Sequence, residues 1–398
     1  MNKQLHRLYE IAGKESRIIL GLMSGTSLDG LDIACCKITG SGKETNIDLL
    51  HFETQQYGEA VRTLIRKIAF QQDAGLKNVS RFHKKIALLH ATMVMDQLKK
   101  WNIQSTDIDL LASHGQTIFH APSVNKTDDT GHHSFQAGDG DHLAHLTGII
   151  TLCDFRQKHI AAGGEGAPLA VYGDYLLYGN RAQNTVLLNI GGIANFTFLP
   201  ANASFANVMC TDAGPGNTLM NRWCEQKFRQ PFDEKGLIAE RGKVDAELLS
   251  ALNEHHFLGR ALPASTGPEE FSIDWLNKCI HRIRHEIADE DVLATLNRYT
   301  AECILHSMKK CLPKEIDGQL LVSGGGCHNR TLMKHLKELT FAFSDKIRID
   351  EAPHSDAKEA MIFALLANEA VAGNPSSSFG QSDNTSPVVS FGKICLPG

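Results

Sequence analysis

Nothing in these 398 residues is apolar for long enough to cross a bilayer: the longest unbroken runs, such as Ile18 to Leu22, are strand-sized. The opening segment, Met1 to Arg17, is polar and helical in character and has no apolar core of the kind a secretory signal carries. Cysteine occurs ten times but never as C-x-x-C, and several of the ten sit in apolar strand or helix patterns. That usage fits free thiols in a reducing cytoplasm better than a disulfide framework. Basic stripes are missing as well. With a net charge of −5 and no Lys/Arg run interleaved with aromatics, the chain offers no footprint for nucleic acid or an anionic membrane. Three signatures of common enzyme classes are also absent: the Gly-Lys-Ser/Thr of a Walker A loop, the G-x-S-x-G elbow, and G-x-G-x-x-G.

What is present reads as two copies of one theme. The length exceeds what a single hydrophobic core supports, so two domains are expected. Strand-like runs at 17–23, 31–38 and 46–52 are followed by a helical stretch with Phe82, Ile86, Leu89, Met93 and Trp101 towards one face. A strand at 108–113, a helix near 141–146 and a strand at 149–153 follow. The second half repeats the order. Strands at 186–190, 195–199 and 208–211 precede helices at 217–228 and 291–311, then a strand at 319–323, a helix from Arg330, a strand at 346–350 and a helix at 358–372. The expectation is a duplicated α/β fold with an interdomain cleft, with a first domain over 1–183 completed by 373–398 and a second over 184–372. The Gly/Asn/Ser/Pro-rich segment after Ala372 reads as a surface loop before a short final segment.

Three glycine-bearing turns carry the chemistry. In the first, Ser24-Gly25-Thr26-Ser27 joins two strands, so main-chain N–H groups and hydroxyls can meet an anion, and Asp29 is positioned to hold Mg2+. A plain β-hairpin is the alternative there. The second, Gly191-Gly192 between Asn189 and Asn195, occupies the matching place in the second half. The third runs from a strand through Ser323-Gly324-Gly325-Gly326 to Asn329 and a helix, a turn that lets a phosphate or a flat ring lie against bare backbone. His114 and Gln116 stand at the expected end of the 108–113 strand, where α/β sites gather. His132, His133, His142 and His145 read as solvated loop residues, not as a zinc site. Asp212 precedes Gly214-Pro215-Gly216 and a helix, which suits either a catalytic carboxylate or a helix cap.

Two phosphate-type turns in matching places and a third glycine-rich turn resemble an actin/hexokinase-like (ribonuclease H-like) ATPase. From about Ser16 onward the sequence is similar, more narrowly, to the anhydro-N-acetylmuramic acid kinase family. The matching stretches are Ser24-Gly-Thr-Ser-Leu-Asp-Gly30, His114-Gly-Gln-Thr117, Asp154-Phe-Arg156, Ala162-Gly-Gly-Glu-Gly-Ala-Pro-Leu169, Asn189-Ile-Gly-Gly-Ile-Ala-Asn195, Asp212-Ala-Gly-Pro-Gly-Asn217, Ser265-Thr-Gly267 and Ser323-Gly-Gly-Gly326.

The resemblance implies an ATP- and Mg2+-dependent enzyme that opens 1,6-anhydro-N-acetylmuramic acid with water and phosphorylates O6. It implies Asp212 as general base. It places Ser24, Gly25, Thr26, Ser27, Asp29, Gly30, Asp32, Gly191, Gly192, Ser323, Gly324, Gly325, Gly326 and Asn329 on the nucleotide side, and His114, Gln116, Lys158, Asn217 and Glu359 on the sugar side. It suggests a homodimer. The chain departs from the family at His159, Glu165, Ala213, Ala264 and Pro268. The last two remove cations from a segment expected to face the sugar, which motivates a neutral anhydro-sugar such as levoglucosan as an alternative substrate; a non-catalytic ATP-binding relative is a further one.

Overall fold

The computed structural model describes residues 2–398 except 26–27, 70, 72, 122–131, 164–165, 167–168, 180–181, 203–204, 315 and 374–389. Thr26 and Ser27 of the first turn, and Gly164, Glu165, Ala167 and Pro168 of a matched stretch, therefore lie outside the described residues, as does most of the Gly/Asn/Ser/Pro-rich segment.

The first sheet is built from β1 (Ser16–Ser24), β2 (Gly30–Thr39), β3 (Asn46–Gln56), β4 (Leu110–Ala121), β5 (His133–Ala137), β6 (Thr151–Cys153) and a late strand, Lys393–Cys395. β1, β2 and β3 form an antiparallel meander; β4 pairs parallel to β1, and β6 parallel to β4. The second sheet contains β7 (Asn184–Ile190), β8 (Ile193–Leu199), β9 (Met209–Pro215), β10 (Gly318–Ser323) and β11 (Ile347–Glu351). Its meander β7-β8-β9 is antiparallel, β10 runs parallel to β7, and β11 parallel to β10. The spatial order β6-β4-β1-β2-β3 thus repeats as β11-β10-β7-β8-β9. The second sheet repeats the strand plan of the first, the α/β duplication expected from the sequence.

Two compact units result: residues 1–180 with 204–206 and 356–398, and residues 181–203 with 207–355. The helix Lys358–Ala372, expected with the second half, belongs to the first unit. It packs on β1, β2 and β4, so closely that a Cβ on Gly21 would lie 1.8 Å from the Ala360 carbonyl oxygen. Its Glu369 carboxylate accepts the Gly42 N–H, and its Asn368 Oδ1 accepts from Arg17 Nη1 at 2.9 Å. Arg17 also donates to the carbonyls of Ile11, Ala12 and Lys14 and so ties down the N-terminal helix Lys3–Ala12, which Asn2 caps.

In the second unit, Phe196, Phe271, Tyr299 and Met308 lie in one buried cluster with β7, β8 and β10. Helix Asp289–Cys311 contributes Val292, Leu293, Leu296, Tyr299, Ala301, Cys303, Ile304 and Met308 to that cluster.

Candidate active site

In the first unit the first turn hangs from a chain of buried polar groups. Ser24 Oγ donates to Gln116 Oε1 at 2.6 Å and stands 2.8 Å from Tyr57 Oη, which is 2.7 Å from His90 Nε2. Read in one direction, His90 donates to Tyr57, Tyr57 to Ser24 and Ser24 to Gln116. The Gln116 amide then donates to the Thr117 carbonyl and, at 3.4 Å, to that of Gly25. Burial pushes His90 down to about 4, which keeps it neutral for this role. Ser24 and Gln116 therefore shape the turn with side chains that are already engaged inside the unit. Gly30 serves the sheet: a Cβ there would meet the Gln55 carbonyl at 2.3 Å. Asp29 is exposed, and its carbonyl accepts the Tyr57 N–H.

His114 was expected at a strand end, but β4 runs on through it to Ala121. Gly115 makes this possible: at φ +76°, with Ala137 O only 2.6 Å from where a Cβ would stand, it turns the chain while β5 takes up the pairing. Buried against the Phe363 ring, His114 donates from Nδ1 to the Gly115 carbonyl and accepts at Nε2 from Arg156 Nε (3.2 Å) and Nη2 (3.1 Å). Burial, then the Arg156 charge, pushes His114 down to about 3, so its ring is a neutral acceptor that orients Arg156 without cancelling its charge.

Around Arg156 stand acidic groups. Burial lowers the guanidinium's pKa and Glu359 works against that. Glu359 is open to solvent, yet the protein packed around it, reinforced by Asp32 and Asp174, lifts its carboxyl above the ordinary range against Lys358 and Arg156. Asp32 is raised by burial and further by Asp356 and Asp29, while the Thr54 hydroxyl, at 2.6 Å, holds it back. Lys358 pairs with buried Asp174 at 2.7 Å. Lys158, by contrast, is exposed and donates to the Ser390 hydroxyl. Arg156 was only part of a matched motif in the sequence; the fold makes it the centre of this group.

In the second unit Asp212 lies within β9, not at its end, and it caps no helix: Asn217 occupies the cap position of helix Thr218–Phe228. Its main chain bonds to Ala264 O, and its Oδ2 accepts the Thr266 N–H at 2.8 Å. Among the described residues Oδ1 accepts no hydrogen bond, so one oxygen is held and the other is available. Burial raises the carboxyl, and the Thr266 N–H only partly offsets this. A raised carboxylate is a stronger base once ionised. Ala213 points into the core, so this departure from the family falls on a packing position.

The two remaining turns meet at Asn217. Its N–H donates to Gly191 O at 2.7 Å and its amide to Ile190 O at 3.1 Å, and a Cβ on Gly325 would stand 3.7 Å from that amide nitrogen. Gly324 and Gly326 are needed by the fold, since side chains there would strike Ile190 and Asn189. Gly191 and Gly325 are not: neither has positive φ, and no atom lies closer than 3.6 Å to a Cβ. A glycine the fold does not require leaves its backbone bare for something else. The Ser323 hydroxyl, meanwhile, donates to Leu188 O within the sheet.

Beside these turns opens a pocket of about 460 Å3, lined by Asn217, Met220, Phe232, Lys235, Gly325 and Asn329 among others. Asn329 caps helix Arg330–Phe343 through Leu332 N–H. Asp233 accepts the N–H groups of Ile238 and Ala239 and so fixes the loop that presents Phe232, which is 53% exposed. Neither Phe232 nor Asp233 carried a sequence signal, because both sit in an ordinary polar loop.

Comparison with known proteins agrees with the motifs. The family profile "Anhydro-N-acetylmuramic acid kinase" matches residues 17–395. The enzyme of that name from Pseudoalteromonas atlantica is 44% identical over 100% of both chains. That from Pseudoalteromonas translucida is 44% identical over 94% of each, and that from Clostridioides difficile 36% identical over 88% of this chain and 91% of its own. Motifs, strand plan and relatives converge, and the chain belongs to the anhydro-N-acetylmuramic acid kinase family.

Proposed function

We propose that this protein is an ATP-dependent kinase that adds water across the anhydro bridge of 1,6-anhydro-N-acetylmuramic acid and phosphorylates O6, giving N-acetylmuramic acid 6-phosphate and ADP in peptidoglycan recycling. The observation that carries the reading is Asp212: a carboxylate made more basic by burial, held at one oxygen, on a strand that leads to Asn217, where two glycine turns with bare backbone meet.

Asp212 takes a proton from water as the water attacks the anomeric carbon; O6 leaves that carbon and, gaining negative charge, attacks the γ-phosphorus. The N–H groups at Gly191 and Gly325 receive phosphate oxygens, and the pocket at Phe232 and Asn329 takes the adenosine. Gly25 and the adjoining Thr26 and Ser27 complete the phosphate contacts. Arg156, oriented by His114, supplies the positive charge that a lactyl carboxylate requires, a role that Ala264 and Pro268 do not fill. Glu359 and Lys158 complete the sugar side.

Mg2+ fits the acidic first turn, where burial, helped by the charges of Asp356 and Asp29, raises the Asp32 carboxyl. Bound with ATP it would neutralise phosphate charge, with Asp29 and Asp32 holding it through hard oxygen donors. Ten free thiols suit a reducing cytoplasm, and no described helix is long and apolar enough to cross a membrane. A homodimer completes the reading.

Levoglucosan is not favoured as substrate, because the three relatives named above carry the muramic name. A coupled ADP-release assay on both sugars tests this: turnover of the muramic sugar is expected, and turnover of levoglucosan alone would overturn it.

A further inference from the structure

Behind the third turn, Cys327 and His328 sit on the 3-10 turn Gly325–His328, and Glu351 ends β11 beside them, in register with Val322 of β10. Cys327 Sγ is 3.6 Å from His328 Nδ1 and 3.9 Å from Glu351 Oε1, and one donor atom from each residue lies within 4.8 Å of the others. We propose that these three side chains bind a thiophilic divalent cation, with Zn2+ the best match.

The distances support this directly. Zinc bonds of about 2.3 Å to sulfur and about 2.0–2.2 Å to nitrogen or oxygen, at tetrahedral angles, put donor atoms roughly 3.4–3.6 Å apart. The Cys327–His328 separation of 3.6 Å already has that spacing, Cys327–Glu351 is 3.9 Å, and the three donors lie within 4.8 Å of one another. The donor set selects the metal: a thiol, an imidazole and one carboxylate suit zinc, whereas Mg2+ and Ca2+ call for oxygen alone. Three protein donors leave the fourth position to water. A pocket of about 480 Å3, lined by Cys327, Arg330, Lys334 and Glu351 among others, gives the ion a path from solvent. On binding, the thiol releases its proton to solvent; thiolate and carboxylate together balance the two charges of the metal. The ion would fasten the third turn to β11. His328 also lines the pocket beside Gly325, so the site adjoins that pocket without depending on what the pocket binds.

The test titrates the metal-free, full-length protein with Zn2+ against a chromophoric chelator, and repeats the titration with Co2+. One tight site per chain is expected, with a thiolate-to-cobalt charge-transfer band. Cys327→Ser should abolish that band and weaken zinc by more than the roughly 10- to 100-fold that loss of a merely supporting residue costs. Glu351→Gln should weaken zinc at least tenfold and leave metal-free kinase activity unchanged. Absence of stoichiometric binding, or binding that both substitutions leave intact because other thiols hold the metal, would overturn the proposal.

Discussion

The two units share one strand plan and equip it differently. In the first, the strand ends carry side-chain charge: Arg156 held by a neutral histidine, with Glu359, Asp32 and the Lys358–Asp174 pair around it. In the second, the corresponding turns carry almost none; they expose main chain at Gly191 and Gly325, and a single carboxylate, Asp212, stands on the neighbouring strand. A duplicated fold can thus keep its framework while one copy specialises in side-chain electrostatics and the other in backbone donors, because strand pairing constrains neither the turn residues nor the groups at strand ends.

The sharpest way to break that contrast is to neutralise the one carboxylate. Asp212→Asn keeps the Thr266 contact but removes the base, and sugar-dependent ADP release should fall on the order of 100- to 10,000-fold with the melting temperature unchanged. Next come the glycines. Gly191→Ala and Gly325→Ala should fold normally yet raise KM for ATP about tenfold, equivalent to about 1.4 kcal/mol. Gly21→Ala should show the opposite pattern, with overpacking against Ala360 lowering stability by about 1–3 kcal/mol or more in a melting experiment. If the two groups of glycines behave alike, the distinction between bare and structural backbone fails.

The first unit's buried histidines make a pH prediction. His90 and His114 have folded values of about 4 and 3, below the unfolded 6.5, so the unfolded chain binds more protons at pH values between. Their stabilising effect is complete above pH 6.5 and is lost as pH falls towards 4, by about 1.4 kcal/mol per pH unit for each histidine. Denaturant melts from pH 7 to 4.5 read this, and His90→Gln should flatten the slope. The second unit contributes a catalytic limb: because Asp212 is raised, kcat/KM should decline on the acid side with an apparent pKa above that of an ordinary aspartate. The smallest effect concerns specificity. Ala264→Lys should lower KM for the muramic sugar only a few-fold, since an exposed pair is worth about 0–1 kcal/mol.

Most of this framework was legible beforehand, since period-2 and period-3.6 patterns mark strands and helices whatever they pack against. Allegiance was not. The spacing in 358–372 shows a buried helix but cannot say which sheet it covers, and only the contact of Ala360 with Gly21 decides that. The strand ends at His114 and Asp212 were placed too early because glycine reads as a stop, while Gly115 and Gly214, at φ +76° and +119°, bend strands that continue. β5 and the strand Lys393–Cys395 have five and three residues, too few to show a period-2 pattern. Arg156 was read only as part of a matched motif, and Phe232 drew no notice, because a side chain in a loop has no periodicity to betray it.

The central claim is that water opening of the bridge and phosphorylation of O6 occur as one coupled event. Turnover in oxygen-18 water, with products read by mass spectrometry before the sugar's anomeric oxygen exchanges, tests it most directly. The account predicts one heavy oxygen at C1 of the sugar 6-phosphate and none in the phosphoryl group. Heavy oxygen appearing in inorganic phosphate, with the anhydro-sugar intact, would contradict it.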